Sequence, residues 1–171
     1  MIEEKARKIK LLILDVDGVL TDGRIVYDNF GDELKFFNVT DGLGVFLLRK
    51  AGIKTVIITA KKTKAVLKRA KDMRVAEVYS NHHKLGIYKK VLRKFHVKDE
   101  EVCFMGDDLL DLPLIKRAGL AVSPPNAVDE VRNLSHYTTQ KHGGKGAVRE
   151  LIELILKSQG LWDKAISAYT K

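Results

Sequence analysis

The chain has 171 residues and is short of cysteine, proline and long apolar runs, and each shortage excludes something. Its one cysteine, Cys103, cannot form an internal disulfide, which fits a reducing compartment. Cys103 lies in the string Val102-Cys103-Phe104-Met105 and reads as core. No apolar run is long enough to span a bilayer, so no membrane segment is expected. The start, Met1-Ile2-Glu3-Glu4-Lys5, lacks the apolar centre of a secretory signal. These features point to the cytoplasm. Three prolines, no repeats and no low-complexity linker leave one globular unit, 1–171, with a final tail at 160–171. Aromatic residues make up only 7% of the chain, and none interleaves with the basic stretch Lys61 to Lys71. The formal charge of +9 therefore reads as a lysine-rich surface that favours anionic substrates, with no nucleic acid as partner.

What is present is an alternation. Ile9–Leu14, Lys54–Thr59, Val75–Tyr79, Glu101–Met105, Gly119–Val122 and Ser135–Thr138 read as short buried strands. Helical spacing appears over 41–51, 62–72, Lys84–Phe95 and Asp108–Arg117, near Ala127–Arg132, and again at Val148, Leu151, Ile152 and Ile155. This order predicts an α/β fold, a Rossmann-like three-layer sandwich around a mainly parallel sheet. Residues 23–38 break the pattern. Two strand-like arms flank Asp28-Asn29-Phe30-Gly31-Asp32, which predicts a β-hairpin. An isolated hairpin is marginal in water, so a neighbouring subunit is its expected support.

In open parallel sheets ligands gather beyond the carboxyl ends of the strands. The first strand delivers Asp15-Val16-Asp17-Gly18 there, the second Thr59, and the fourth Gly106-Asp107-Asp108, with Asp111 one turn on. Lys84 opens the helix after the third strand. Carboxylates crowded at one edge repel unless a cation sits among them, and an all-oxygen site suits Mg²⁺. Thr59 and Lys84 add a hydroxyl and a positive charge for phosphate oxygens. A carboxylate nucleophile, a metal and a phosphate clamp together make a site for phosphoryl transfer. Asp-x-Asp-Gly alone is a common turn, and Lys84 alone a surface lysine; the joint pattern carries the reading.

The string Asp15-Val16-Asp17-Gly18-Val19-Leu20-Thr21, with Thr59, Lys84 and Gly106-Asp107-Asp108-Leu109-Leu110-Asp111, resembles the four motifs of haloacid dehalogenase (HAD) superfamily phosphatases. The hairpin stands where a cap domain is inserted in other members. Phe37 to Gly44 and Gly143 to Glu150 narrow the match, resembling the 3-deoxy-D-manno-octulosonate 8-phosphate (KDO 8-phosphate) phosphatases. The resemblance implies hydrolysis of a small sugar-acid phosphate in lipopolysaccharide biosynthesis. It also implies a homotetramer whose hairpins form a small barrel and in which each site is closed by a neighbour. Asp15 is then the nucleophile and Asp17 the acid/base. Asp15, the Asp17 carbonyl and Asp107 hold Mg²⁺, and Asp108 and Asp111 stand behind them. Lys61, Arg74, Asp41 and Gly42 are candidate substrate contacts, although Lys61 and Arg74 could equally be surface residues and Asp41 could simply cap a helix. Ala60-Lys61 follows Thr59 where the family usually has Gly-Arg, and Thr40 stands where Arg is frequent. A nonulosonate 9-phosphate is therefore an alternative substrate. A silent assembly module and a phospho-receiver are alternatives of other classes.

Overall fold

The computed structural model describes residues 1–170. In order the chain forms α1 (Ile2–Arg7), β1 (Leu11–Leu14), β2 (Val26–Tyr27), β3 (Glu33–Leu34), α2 (Val39–Lys50), β4 (Lys54–Thr59), α3 (Lys64–Asp72), β5 (Glu77–Ser80) and α4 (Lys84–Phe95). There follow β6 (Val102–Met105), α5 (Leu112–Ile115), β7 (Leu120–Ser123), α6 (Asp129–Leu134), β8 (Tyr137–Thr138), α7 (Ala147–Ser158) and α8 (Trp162–Ile166). The main sheet runs β5-β4-β1-β6-β7-β8, and every pairing in it is parallel. The α/β expectation therefore holds. No helix among the described residues is long and apolar enough to cross a membrane.

Strands β1 and β6 are apolar throughout because both of their faces are covered. Leu12 and Leu14 enter one core with Val45, Leu48, Leu151 and Ile152. Leu11 and Ile13 enter the other with Tyr88, Val91, Phe104 and Leu114. Each buried aliphatic side chain contributes about 1.5–3 kcal/mol. Two cores on either side of one sheet make the three layers, with α1, α2, α3 and α7 over one face and α4, α5 and α6 over the other.

Some elements differ from expectation. Helix α1 was not expected; Ala6 is buried and Ile2 packs on the core, enough to dock so short a segment. Helix α2 begins earlier than 41, because the Asn38 side chain accepts from the Thr40 N–H and caps it. The segment 108–117 is a 3₁₀ turn, Leu109–Asp111, followed by the short α5, with Pro113 in its first turn. Within 23–38, β2 and β3 pair antiparallel over only two residues each. Their turn is closed by Asp28 Oδ1, which accepts from the N–H groups of Phe30 and Asp32. In the tail, Trp162 and Ile166 pack on the core, whereas Tyr169 is exposed. Its last residue, Lys171, lies outside the described residues.

Candidate active site

The order of the sheet creates a switch point. From β1 the chain pairs outward with β4 on one side and β6 on the other, leaving a crevice beyond their carboxyl ends. Parallel pairing continues one residue past β1, where the Asp15 N–H donates to the Met105 carbonyl at 3.0 Å. The chain then turns sharply, with the N–H groups of Val19, Leu20 and Thr21 all directed at the Val16 carbonyl. Thr21 Oγ1 accepts from the N–H groups of Gly18 and Gly23 and ties the turn together.

Gly18 is required twice over. Its φ is +77°, and a Cβ there would lie 1.9 Å from Asp107 Oδ2. The first and fourth strands can therefore bring their acids together only if this residue has no side chain.

A cleft of about 200 Å³ is lined by Asp15, Asp17, Thr59, Ala60, Lys84, Asp107 and Asp108, together with Gly23 and Leu110. Lys84, the first residue of α4, is buried, and its Nζ lies 3.0 Å from Asp15 Oδ2 and 2.6 Å from Asp111 Oδ1. Burial alone would lower the Lys84 pKa; the charges of Asp15 and Asp111 more than reverse this and hold the ammonium charged. Asp111 is engaged at both oxygens. Its Oδ2 accepts from the N–H groups of Asp107 and Asp108, while Oδ1 accepts from Lys84.

Asp15 and Asp107 behave differently. Burial, then the Asp111 charge, push Asp15 up to about 7 despite Lys84. Burial, then the charges of Asp15, Asp111 and Asp108, push Asp107 up to about 8. No donor among the described residues reaches the Asp107 carboxylate. Oxygens of Asp15, Asp107 and Asp111 lie within 4.8 Å of one another. Both Asp111 oxygens already accept from protein donors, so Asp15 and Asp107 are the pair freer to hold a cation. A hard divalent ion suits them, since it takes oxygen ligands and would offset the burial and the repulsion that raise both pKa values.

Thr59 ends β4 and is buried, its hydroxyl donating to the Lys61 carbonyl at 3.3 Å. Lys61 follows Ala60 of the cleft lining and pairs with Glu33, with Nζ and Oε2 2.6 Å apart. The other three candidate substrate contacts lie elsewhere. Arg74 stacks on Phe46 and borders a separate hollow of about 400 Å³ beside Lys54 and Thr55, at the opposite edge of the sheet from Thr59. This is away from the cleft, because the residues after α3 return to the amino end of the sheet. Asp41 is buried, and its Oδ1 accepts from the Arg149 N–H at 2.8 Å. It serves the first turn of α7, not of its own helix. Gly42 leaves room for Arg69, whose Nη2 would be 2.4 Å from a Cβ there.

Two positioning groups escaped sequence reasoning. Asn126 donates to the Gly18 carbonyl at 2.9 Å and accepts from the Gly143 N–H at 2.8 Å. It joins the catalytic turn to the loop before α7, where a Cβ at Gly143 would strike the Gly18 carbonyl. The strand-end rule, extended to β7, points to this turn. The second is Lys35, whose Nζ is 2.6 Å from Asp17 Oδ1 and 2.6 Å from Glu33 Oε1. No spacing in the hairpin singles it out.

The haloacid dehalogenase-like hydrolase family profile matches residues 75–152. The 3-deoxy-D-manno-octulosonate 8-phosphate phosphatase KdsC of Escherichia coli (strain K12) is 41% identical over 162 residues, covering 94% of this chain and 86% of that one. A crystal structure of the Moraxella catarrhalis phosphatase of the same name, in complex with magnesium ion, phosphate ion and KDO, superposes with a TM-score of 0.95 at 40% identity. That match covers 98% of this chain and 97% of the other. The cobalt-bound deoxy-D-mannose-octulosonate 8-phosphate phosphatase of Haemophilus influenzae matches with a TM-score of 0.88 at 34% identity, covering 91% and 92% of the two chains. With these likenesses extending over nearly its whole length, the chain belongs to the 3-deoxy-D-manno-octulosonate 8-phosphate phosphatase family of haloacid dehalogenase-like hydrolases.

Proposed function

We propose that this protein is a magnesium-dependent phosphatase that converts 3-deoxy-D-manno-octulosonate 8-phosphate to the free sugar acid and inorganic phosphate. One observation carries the reading: buried Asp15 faces a cleft shared with Asp17 and Asp107 and is held by Lys84. The relatives' names supply the substrate.

In this mechanism Thr59 and Lys84 bind phosphoryl oxygens and orient phosphorus toward Asp15. Asp15 attacks in line; a bond from its carboxylate oxygen to phosphorus forms as the bond from phosphorus to the sugar oxygen breaks. Asp17 gives its proton to the departing sugar oxygen. It then takes a proton from the water that attacks the aspartyl phosphate, which releases phosphate and restores Asp15. Asp15, Asp107 and the Asp17 carbonyl would hold magnesium, which when bound offsets the negative charge shared by nucleophile and phosphate. Asp111 keeps Lys84 and the backbone of Asp107 and Asp108 in place.

The hairpin exposes Ile25, Tyr27, Phe30 and Phe36, and this supports its burial against other copies in a homotetramer. The test is phosphate release from 3-deoxy-D-manno-octulosonate 8-phosphate, a nonulosonate 9-phosphate and p-nitrophenyl phosphate, each with magnesium and with chelator. Preference for the first ester with magnesium is expected. No release from any ester would defeat the proposal and favour a silent assembly module. The departure Ala60-Lys61 puts Lys61 beside Glu33, next to Ala60 of the cleft lining, so preference for the nine-carbon ester is the outcome that would move the substrate.

A further inference from the structure

Asp15 and Asp17 are each held by a lysine, but from different places. Lys84 belongs to α4, under the sheet edge. Lys35 belongs to the hairpin, just after β3. Its side chain is only 2% exposed, whereas that of Asp17 is 45% exposed. Nζ lies 2.6 Å from Asp17 Oδ1 and 2.6 Å from Glu33 Oε1, and Glu33 Oε2 is in turn 2.6 Å from Lys61 Nζ. Among the described residues the Asp17 side chain has no other partner. Its Oδ2 is therefore unengaged, and its rotamer depends on this one ammonium.

A half-exposed carboxylate with one tether samples several rotamers once the tether is removed. General acid catalysis requires hydrogen-bond reach to the leaving oxygen, so those rotamers would be unproductive. We infer that Lys35 is a positioning residue: by bridging Asp17 Oδ1 and Glu33 Oε1 it holds Oδ2 toward the leaving oxygen and makes proton delivery depend on the docked hairpin. The inference rests on the phosphatase reading, with Asp17 as acid. It concerns a residue that neither composition nor motif assigns to the reaction.

The signature is dependence on the leaving group. A sugar alkoxide needs a proton as it departs, whereas p-nitrophenolate leaves readily without one. The experiment measures kcat with magnesium on 3-deoxy-D-manno-octulosonate 8-phosphate and on p-nitrophenyl phosphate, for wild type, Lys35→Met, Lys35→Arg and Glu33→Gln. A positioned acid is worth about 10²–10⁴-fold, so the ratio of sugar-ester to aryl-ester kcat should fall at least tenfold in Lys35→Met. Lys35→Arg keeps a cation able to bridge two carboxylates and should stay within about threefold of the wild-type ratio. Glu33→Gln, which loosens the far end of the bridge, should fall between them. An unchanged ratio in Lys35→Met, or equal losses on both esters in Lys35→Met and Glu33→Gln, overturns the inference. Failure of the phosphatase reading is separate and appears first, as a wild-type protein inactive on the sugar ester, and it removes the inference as well.

Discussion

The carboxyl edge of the sheet and the hairpin meet over one cleft, yet they are built in opposite ways. At the sheet edge, β1 and β6 are buried on both faces, and Asp111, Lys84 and the strand backbones are bonded to one another. In the hairpin, β2 and β3 pair over two residues and expose large apolar side chains. The first region stores electrostatic strain, with two carboxyls raised far above their ordinary range. The second holds its charges as a partnered chain from Asp17 to Lys61. Rigid surroundings can keep groups that repel, because the fold over-determines them; a hairpin so lightly built needs attraction to stay docked.

Breaking the sheet-edge region should give the largest effect. Asp15→Asn removes the nucleophile, and phosphate release should fall by about 10⁴-fold or more while circular dichroism stays native. Gly18→Ala comes next. Its Cβ would displace Asp107, and a displacement of about 1 Å costs roughly 10²-fold in turnover. That variant should also lose the thermal shift that magnesium gives the wild type.

The raised carboxyls sharpen the comparison through pH. With folded pKa values of about 7 and 8 against 3.8, Asp15 and Asp107 bind more protons when the protein is folded and metal-free. Stability of the metal-free protein should therefore fall as pH rises through that window. Below these folded values protons compete with the cation, so the melting-temperature rise caused by magnesium should be larger at pH 8 than at pH 6. A tenfold change in apparent affinity across that interval corresponds to about 1.4 kcal/mol.

Asp41 provides a control away from the cleft. Burial raises it to about 6, opposed by the Arg149 N–H. The folded carboxyl keeps its proton up to about 6 whereas the unfolded one loses it near 3.8, so stability falls as pH rises from 3.8 toward 6, by at most about 3 kcal/mol. Asp41→Asn keeps an acceptor for α7 and should make the decline over that interval shallower in a urea-unfolding series, leaving the part due to Asp15 and Asp107. The smallest effect belongs to the hairpin tip. Phe30 is 93% exposed, so Phe30→Ser should change protomer stability by no more than about 0.5 kcal/mol. The same substitution should weaken the proposed tetramer in sedimentation.

Much of this was legible before the structure. Continuous apolar runs at β1, β4 and β6 announced a parallel sheet, and the strand-end rule collected Asp15, Asp17, Thr59, Lys84, Asp107 and Asp108 around one cleft. The places of Arg74, away from the cleft, and Asp41, under α7, were not legible, because sequence does not say which end of the sheet a loop returns to or which helix a carboxylate serves. Asn126 escaped because its partner is distant in sequence, 108 positions away at Gly18, and Lys35 because only the folding back of the hairpin brings it to Asp17, 18 positions away.

The sequence by itself determined the strand-helix alternation and the acidic residues at the strand ends, because hydrophobic period and strand polarity are local properties. Only the tertiary structure decided that Gly18 must make room for Asp107, that Asp111 is spent on Lys84, and that a hairpin lysine holds Asp17. Those outcomes depend on distances between segments far apart along the chain, and such distances exist only once both cores have closed on the sheet.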